Sequence, residues 1–266
     1  MTDRPLFSVI IPTHKRARLL KRALQSIKTQ NTSLPFEVIV VADCIDAQTS
    51  AICDELLGSG DIYLRRNGAP GPSLSRNLAL SLAKGRFTLF LDDDDAWHQG
   101  LLAQLALSSQ LMSGQPIYFN CSVVKERRLP DEVVFLNEVQ MNLAGMLSPQ
   151  VYVKNQVHMS CFAFPTELVK DLAFDASLRA YEDWDFLLGL FDHVMPAHEP
   201  ILGSRVFEVD DDTTDRRGST QAATDFNAVL DYLHIYRRHP APTPELKQAR
   251  AQLMTSVGVA VPAEML

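Results

Sequence analysis

Through the first hundred residues the hydrophobic positions switch repeatedly between two periods. Residues 7 to 12 (FSVIIP) form an apolar, β-branched run closed by a proline, the pattern of a strand covered on both faces in a parallel sheet. Leu19, Leu20, Ala23, Leu24 and Ile27 then recur at three- and four-residue intervals. That spacing gives a helix one apolar stripe and leaves Lys15, Arg16, Arg18, Lys21, Arg22 and Lys28 mostly outside. The alternation repeats as strand 36 to 42 (FEVIVVA), helix 47 to 57, strand 61 to 65, helix 72 to 84 and strand 87 to 91 (FTLFL). It predicts an α/β chain whose Rossmann-like, mostly parallel sheet has helices on both faces. Pro72 and Gly85 supply the start and stop signals of the third helix.

Past residue 96 the alternation breaks down. A helix near 100 to 112, strand-like pieces at 117 to 124, 132 to 136 and 159 to 164, and a helix near 182 to 191 carried by Trp184, Leu187, Leu188 and Phe191 predict an α+β half. Residues 209 to 220 (VDDDTTDRRGST) are almost free of apolar side chains and read as a loop. Two amphipathic helices, split by HPAPTP at 239 to 244, complete a helical tail. The expected division is therefore 1–97, 98–208 and 209–266, with no internal repeat.

A composition that is 46% hydrophobic over 266 residues suffices for a full core. The net charge of −7 removes bulk attraction to nucleic acid. No apolar run near the N-terminus is long enough for a signal or a membrane span, so the expected setting is the cytoplasm. The basic face from Lys15 to Arg22 leaves peripheral contact with the inner face of a membrane open. Cys44, Cys53, Cys121 and Cys161 are widely spaced and form no C-x-x-C pair, which argues against structural zinc and a disulfide framework.

The sharpest chemical feature is Asp92-Asp93-Asp94-Asp95, directly after the strand 87 to 91. Adjacent carboxylates repel, and the carboxyl end of a parallel strand is where open α/β sheets bind ligands. A hard divalent cation, Mg²⁺ or Mn²⁺, is the natural counter-charge, with substrate phosphate oxygens completing its shell. The alternative is a solvated acidic turn that caps a helix.

Taken in order, SVIIPTHKR (8 to 16), FEVIVVAD (36 to 43), SRNLALSLAKGRFTLFLDDDDAW (75 to 97) and FDASLRAYEDWDF (174 to 186) resemble the family-2 glycosyltransferases of the GT-A nucleotide-sugar fold. The resemblance is strong over about residues 6 to 97 and moderate over about 158 to 190. It implies transfer of a sugar from a nucleotide-sugar donor to a hydroxyl of a glycan or glycoconjugate acceptor, with inversion and with a metal. Asp92-Asp93-Asp94 is similar to the family's D-x-D, which implies Asp94 as a direct metal ligand and Asp92 as a second ligand facing the donor, with Asp93 sharing that work. Asp43 stands where relatives bind the base, which favours a UDP- or dTDP-sugar. Ala42 and Cys44-Ile45 depart from the usual residues around it. Pro12, Thr13 and His14 match a donor-binding loop, with His14 in the place of an aromatic ring that stacks on the base.

Arg76, with Asn77 beside it, stands at an Arg-Asn position from which a guanidinium reaches nucleotide or diphosphate; a structural ion pair is the other reading. Glu182-Asp183 resembles the acceptor-site acidic pair, which implies Asp183 as general base, with Asp185 a competitor and first-turn helix acids the alternative. The spacing puts Asp183 at the edge of the apolar face and Glu182 nearly opposite it. His158, His193 and His198 are candidates for an extra metal ligand, and Arg216 and Arg217 for a lid over the diphosphate. No G-x-G-x-x-G follows the first strand and no P-loop occurs, which argues against a dinucleotide oxidoreductase or a P-loop enzyme. A D-x-D-x-T phosphatase would need threonine or valine where Ala96 stands. The competing functions are a sugar nucleotidyltransferase, which predicts a glycine-rich loop that PTHKRAR lacks, and an inactive nucleotide-sugar-binding protein.

Overall fold

The structure is a computed structural model that describes residues 4–30, 32–129, 132–210 and 226–266. Strand β1 (Phe7–Thr13) is buried along its whole length, and helix α1 (Ala17–Lys28) covers it with the predicted stripe. Then follow β2 (Phe36–Ala42), α2 (Ala47–Leu56), β3 (Ile62–Arg65), α3 (Pro72–Leu82) and β4 (Phe87–Phe90). These strands pair in parallel in the order β3-β2-β1-β4. Between α3 and β4 the chain turns at Gly85, where an added Cβ would lie 2.5 Å from the Ser8 nitrogen. Only a residue without a side chain lets the turn lie against β1.

The second half carries β5 (Ala96–Trp97), α4 (Leu101–Leu107), α5 (Ser109–Met112), β6 (Ile117–Arg128), β7 (Val133–Met141), β8 (Phe162–Pro165), α6 (Thr166–Val169), α7 (Glu182–Phe191) and β9 (Ala197–Val209). It extends the same sheet, because β8 pairs antiparallel with both β4 and β6. β9 runs parallel to β6 with register shifts at Phe119, Asn120 and Cys121. The single helix expected over 100 to 112 is two, divided at Ser108, whose hydroxyl accepts from Leu111 N and donates to Glu199. The strand expected over 159 to 164 begins only at Phe162, after a 3-10 turn at Met159–Cys161. One continuous core runs through both halves, from Phe7 to Leu266.

In the tail, α8 (Phe226–Arg238) and α9 (Pro244–Ser256) are split at the predicted proline-rich segment. The loop reading of 209 to 220, and with it the lid placed at Arg216 and Arg217, lies outside the described residues beyond Asp210. Two further expectations need correction. Arg16, just before α1, is buried and Arg22 partly so, because their long side chains reach the carboxylates of Asp93 and Glu126. Asp185 is buried on the side of α7 that meets the tail, paired with Arg238 and His239. No described helix is long and apolar enough to cross a membrane.

Candidate active site

Strand register builds the site. Thr13 pairs with Ala42 across β1 and β2, so the next residues, His14 and Asp43, emerge side by side at the carboxyl ends. Ile10 pairs with Phe90 across β1 and β4, which brings Asp93 level with Thr13. A cleft of about 900 Å³ opens over these strand ends. His14, Asp43, Arg76, Asp92, Asp93, Asp94, Glu182 and Asp183 all line it. Sequence reasoning had not placed Arg16, Arg128, Arg179, Phe207 or Glu208 there.

The aspartates after β4 face different sets of partners, with Arg16 shared between Asp93 and Asp94. Asp93 turns inward, where it accepts from Thr13 Oγ1 at 2.7 Å, His14 N at 3.3 Å and Arg16 Nη1 at 3.2 Å. Asp94 Oδ2 meets Arg16 Nη1 at 3.0 Å and Arg128 Nη1 at 3.5 Å. Asp95 is enclosed below the cleft, where it accepts from Ser160 Oγ and Phe207 N and so ties β9 to the acidic turn. Burial, then Asp94 and Asp92, push its carboxyl well above the ordinary range. Asp92 is the most open of those with a cleft-side pair, its side chain 39% exposed beside Arg76.

Arg76 joins the two acidic motifs. Its Nη2 donates to Asp92 Oδ1 at 2.6 Å and its Nη1 to Glu182 Oε1 at 2.8 Å, from a side chain only 4% exposed. Burial works to lower its pKa, and Asp92 and Glu182 outweigh that and raise it. Glu182 is therefore on the same cleft as Asp183 and not opposite it. Asp183 Oδ1 accepts from Trp184 N at 2.7 Å. Enclosure, reinforced by Glu182 and Asp92 and opposed by Arg76 and the Trp184 N–H, raises its carboxyl to about 7.

At the other end of the cleft Asp43 is held on both oxygens. His14 Nδ1 lies 2.5 Å from Oδ1, and Gly71 N donates to Oδ2 at 2.7 Å. Arg66 fastens the same loop through Ala69 O and Gly71 O. Pro12 and Thr13 belong to buried β1 and do not line the cleft; Thr13 acts through its bond to Asp93. Among the histidines only His158 and His14 border the cleft. The His158 ring is open to it yet surrounded by protein, an enclosure that lowers its pKa against the pull of Asp92, Glu208 and Asp94. His198 instead bonds Asn120 Oδ1, and His193 is exposed elsewhere.

The carboxylates of Asp92 and Asp94 fit a hard divalent cation in donor chemistry. The cleft's acids, Asp43, Asp92, Asp93, Asp94, Glu182, Asp183 and Glu208, outnumber Arg16, Arg76, Arg128 and Arg179. His14, Asp43 and Cys44 also bring ligand atoms within 4.8 Å of one another, but a set with a thiol and an imidazole suits softer metals.

Residues 8–110 match the Glycosyl transferase family 2 model. The chain is 28% identical over 250 residues to "Putative colanic acid biosynthesis glycosyl transferase WcaA" of Escherichia coli, covering 90% of this chain and 83% of that protein. It is 34% identical over 131 residues to "GalNAc(5)-diNAcBac-PP-undecaprenol beta-1,3-glucosyltransferase" of Campylobacter jejuni, covering 48% of this chain and 42% of that protein. Among solved structures, Staphylococcus aureus TarS 1-349 in complex with UDP-GlcNAc superposes with a TM-score of 0.64 at 20% identity, covering 94% of this chain and 72% of that one. The chain spans 43% of the longer TarS structure. Mannosyltransferase PcManGT from Pyrobaculum calidifontis, in complex with GDP-Man and Mn²⁺, gives 0.60 at 18% identity, covering 99% and 78%. The mixed sheet is thus the GT-A fold, and residues 8–110 carry the Glycosyl transferase family 2 domain.

Proposed function

We propose that the protein is a metal-dependent, inverting glycosyltransferase that moves a sugar from a nucleoside diphosphate donor to a hydroxyl of a glycan or glycoconjugate acceptor. The observation that carries this reading is Arg76, which holds Asp92 from the strand-end motif and Glu182 from the acceptor-side motif in one cleft. Donor and acceptor groups are thereby set against each other at the distance of one side chain. The relatives support the substrate class: TarS is named a poly(ribitol-phosphate) β-N-acetylglucosaminyltransferase, and the Campylobacter relative a glucosyltransferase of a diphospho-undecaprenol glycan.

In this reading His14 and Asp43 receive the base, and a uridine or thymidine nucleotide suits a carboxylate that accepts an imide proton. Asp92 and Asp94 hold Mg²⁺ or Mn²⁺, which when bound neutralises charge on the diphosphate. Asp183 takes the proton from the acceptor hydroxyl. The hydroxyl oxygen bonds the anomeric carbon from the face opposite the diphosphate, and the bond to the diphosphate breaks with its electron pair leaving on the phosphate oxygen. Residues 1–97 then serve the donor and 98–208 mainly the acceptor, with 209–266 as a supporting tail, and the work is done in the cytoplasm. Arg16 and Arg128, both within reach of Asp94, add positive charge on the side where the diphosphate departs.

Calorimetry of UDP and TDP with and without Mn²⁺, followed by a nucleoside diphosphate release assay on the matching donor sugars, tests the reading. Binding that Mn²⁺ strengthens in the wild type and not in Asp94→Asn is the expected result. Equal affinity with and without Mn²⁺, or Mn²⁺ dependence that survives Asp94→Asn, refutes the assignment of the metal.

A further inference from the structure

Two non-glycine residues among those described have a left-handed backbone, Lys15 at φ 50° and Tyr181 at φ 65°. Tyr181 lines the cleft directly before Glu182, and Lys15 stands between His14 and Arg16, which line it too. A bulky side chain is unfavourable in this conformation, and it persists only where the surroundings over-determine it. Around Tyr181 those surroundings are α8. Asp231, itself buried, accepts from Ala180 N at 3.1 Å, which fixes the peptide that leads into the turn. The Tyr232 ring lies 4.8 Å from the Tyr181 ring and 5.5 Å from that of Trp184.

The same helix fastens both flanks of the turn. Arg238, the last residue of α8, donates from Nη1 to Asp175 Oδ2 at 2.5 Å and lies 3.2 Å from Asp185 Oδ2, and His239, just past the helix, has Nε2 3.0 Å from Asp185 Oδ1. Trp184 is pinned independently, its Nε1 donating to Val151 O at 2.7 Å. The body of α7 is therefore fixed while the direction of its first turn depends on the backbone of Tyr181. We propose that Tyr181 is a positioning residue, held left-handed by Asp231 and Tyr232 of α8 so that Glu182 meets Arg76 and Asp183 faces the cleft. The tail helix, which lies outside the matched family region of residues 8–110, thus completes the acceptor side of the site. This inference rests on the assignment of Asp183 as base.

The test compares two disruptive variants, Tyr181→Gly and Asp231→Leu, with two conservative ones, Tyr181→Phe and Asp231→Asn. Glycine keeps the backbone angle accessible and removes the ring that is clamped; asparagine keeps an acceptor for Ala180 N–H. Turnover, KM for the acceptor and UDP affinity by calorimetry are read for each. The disruptive variants should lose about tenfold to a hundredfold in kcat, the scale of an ångström-sized misplacement, with UDP affinity unchanged within about twofold. The conservative pair should restore most of the turnover. Tyr181→Gly turning over like the wild type overturns the proposal, and so does a loss of kcat matched by an equal loss of UDP affinity. Should Asp231→Leu fail to fold, the comparison of Tyr181→Gly with Tyr181→Phe decides alone. Asp183→Asn is measured beside them. If it keeps turnover, the base assignment is what fails; if it loses turnover while Tyr181→Gly does not, the positioning role fails.

Discussion

Replacing Asp183 by asparagine should separate chemistry from binding, and the environment of the side chain sets both the size and the pH signature of the effect. The carboxyl is raised from 3.8 to about 7, first by enclosure, then by Glu182 and Asp92, against the pull of Arg76 and the Trp184 N–H. A base poised near neutrality is well matched to a hydroxyl proton in flight, and its removal should lower transfer by roughly 10²- to 10⁴-fold, about 2.7 to 5.4 kcal/mol of barrier. Only the ionised form accepts the proton, so kcat/KM of the wild type should climb about tenfold per pH unit below pH 7 and level off above it. Stability runs the other way. Between pH 4 and 7 the folded state holds a proton that the unfolded chain has released, so this group's contribution to stability falls as pH rises through that window. Asp183→Asn lacks the penalty. It should gain in thermal midpoint relative to the wild type at pH 8 and show less of that gain at pH 5. The release assay across pH 5.5 to 8.5 and paired thermal melts provide the check. Transfer by the variant within about tenfold of wild type at pH 8, a difference of only ~1.4 kcal/mol, or a flat wild-type profile, refutes the role. Collapse of UDP binding in the variant would move Asp183 to the donor side.

Asp43→Ala should cost UDP affinity about 1 to 3 kcal/mol through the lost charge-assisted bond, and equal binding of uridine and cytidine diphosphates by the wild type would contradict base reading there. Arg76→Met leaves Glu182 facing Asp92 and Asp183 without its guanidinium. A fully buried pair broken this way costs ~3–5 kcal/mol, and the 39% exposure of the Asp92 side chain should keep the loss below that range in denaturant titration. Gly85→Ala drives a Cβ to 2.5 Å from the Ser8 nitrogen and should destabilise by ~1–3 kcal/mol, with UDP affinity of the folded fraction unchanged.

What was legible in the sequence was whatever its nearest neighbours along the chain determine. The run FSVIIP, the stripe of α1 and the acid block after FTLFL each state their structure within a dozen residues, so the parallel half and the position of Asp92 to Asp95 could be placed. β9 could not. Its sequence, AHEPILGSRVFEV, contains a proline and a glycine, and it stands as a strand because β6 lies beside it, with register shifts that absorb the irregularity. The same holds for Ser108, which divides one apolar stripe into α4 and α5 by capping the second helix while bonding Glu199, 91 residues away.

The charged residues divide along the same line. A carboxylate at a strand end announces its place, because the strand carries it to the cleft whatever lies across from it. A cation on a helix announces only that its stem is long. Periodicity assigned Arg16 and Arg22 to solvent, yet Arg16 reaches Asp93 and Asp94, and Arg22 reaches Glu126 and packs over the Phe207 ring at 3.5 Å. Arg128 carried no local signal, since it is one of several charges at the end of β6 and gains its meaning from Asp94, 34 residues earlier in the chain. Tyr181 is the extreme case. No glycine or asparagine marks its left-handed turn, and the conformation is imposed from α8, 50 residues further on, where Asp231 and Tyr232 hold it. The cleft's acids other than Glu208, and Arg76 between them, were therefore open to sequence reasoning, whereas Arg16 and Arg128, which pair with Asp94, and the turn that aims Glu182 and Asp183 are products of the tertiary fold.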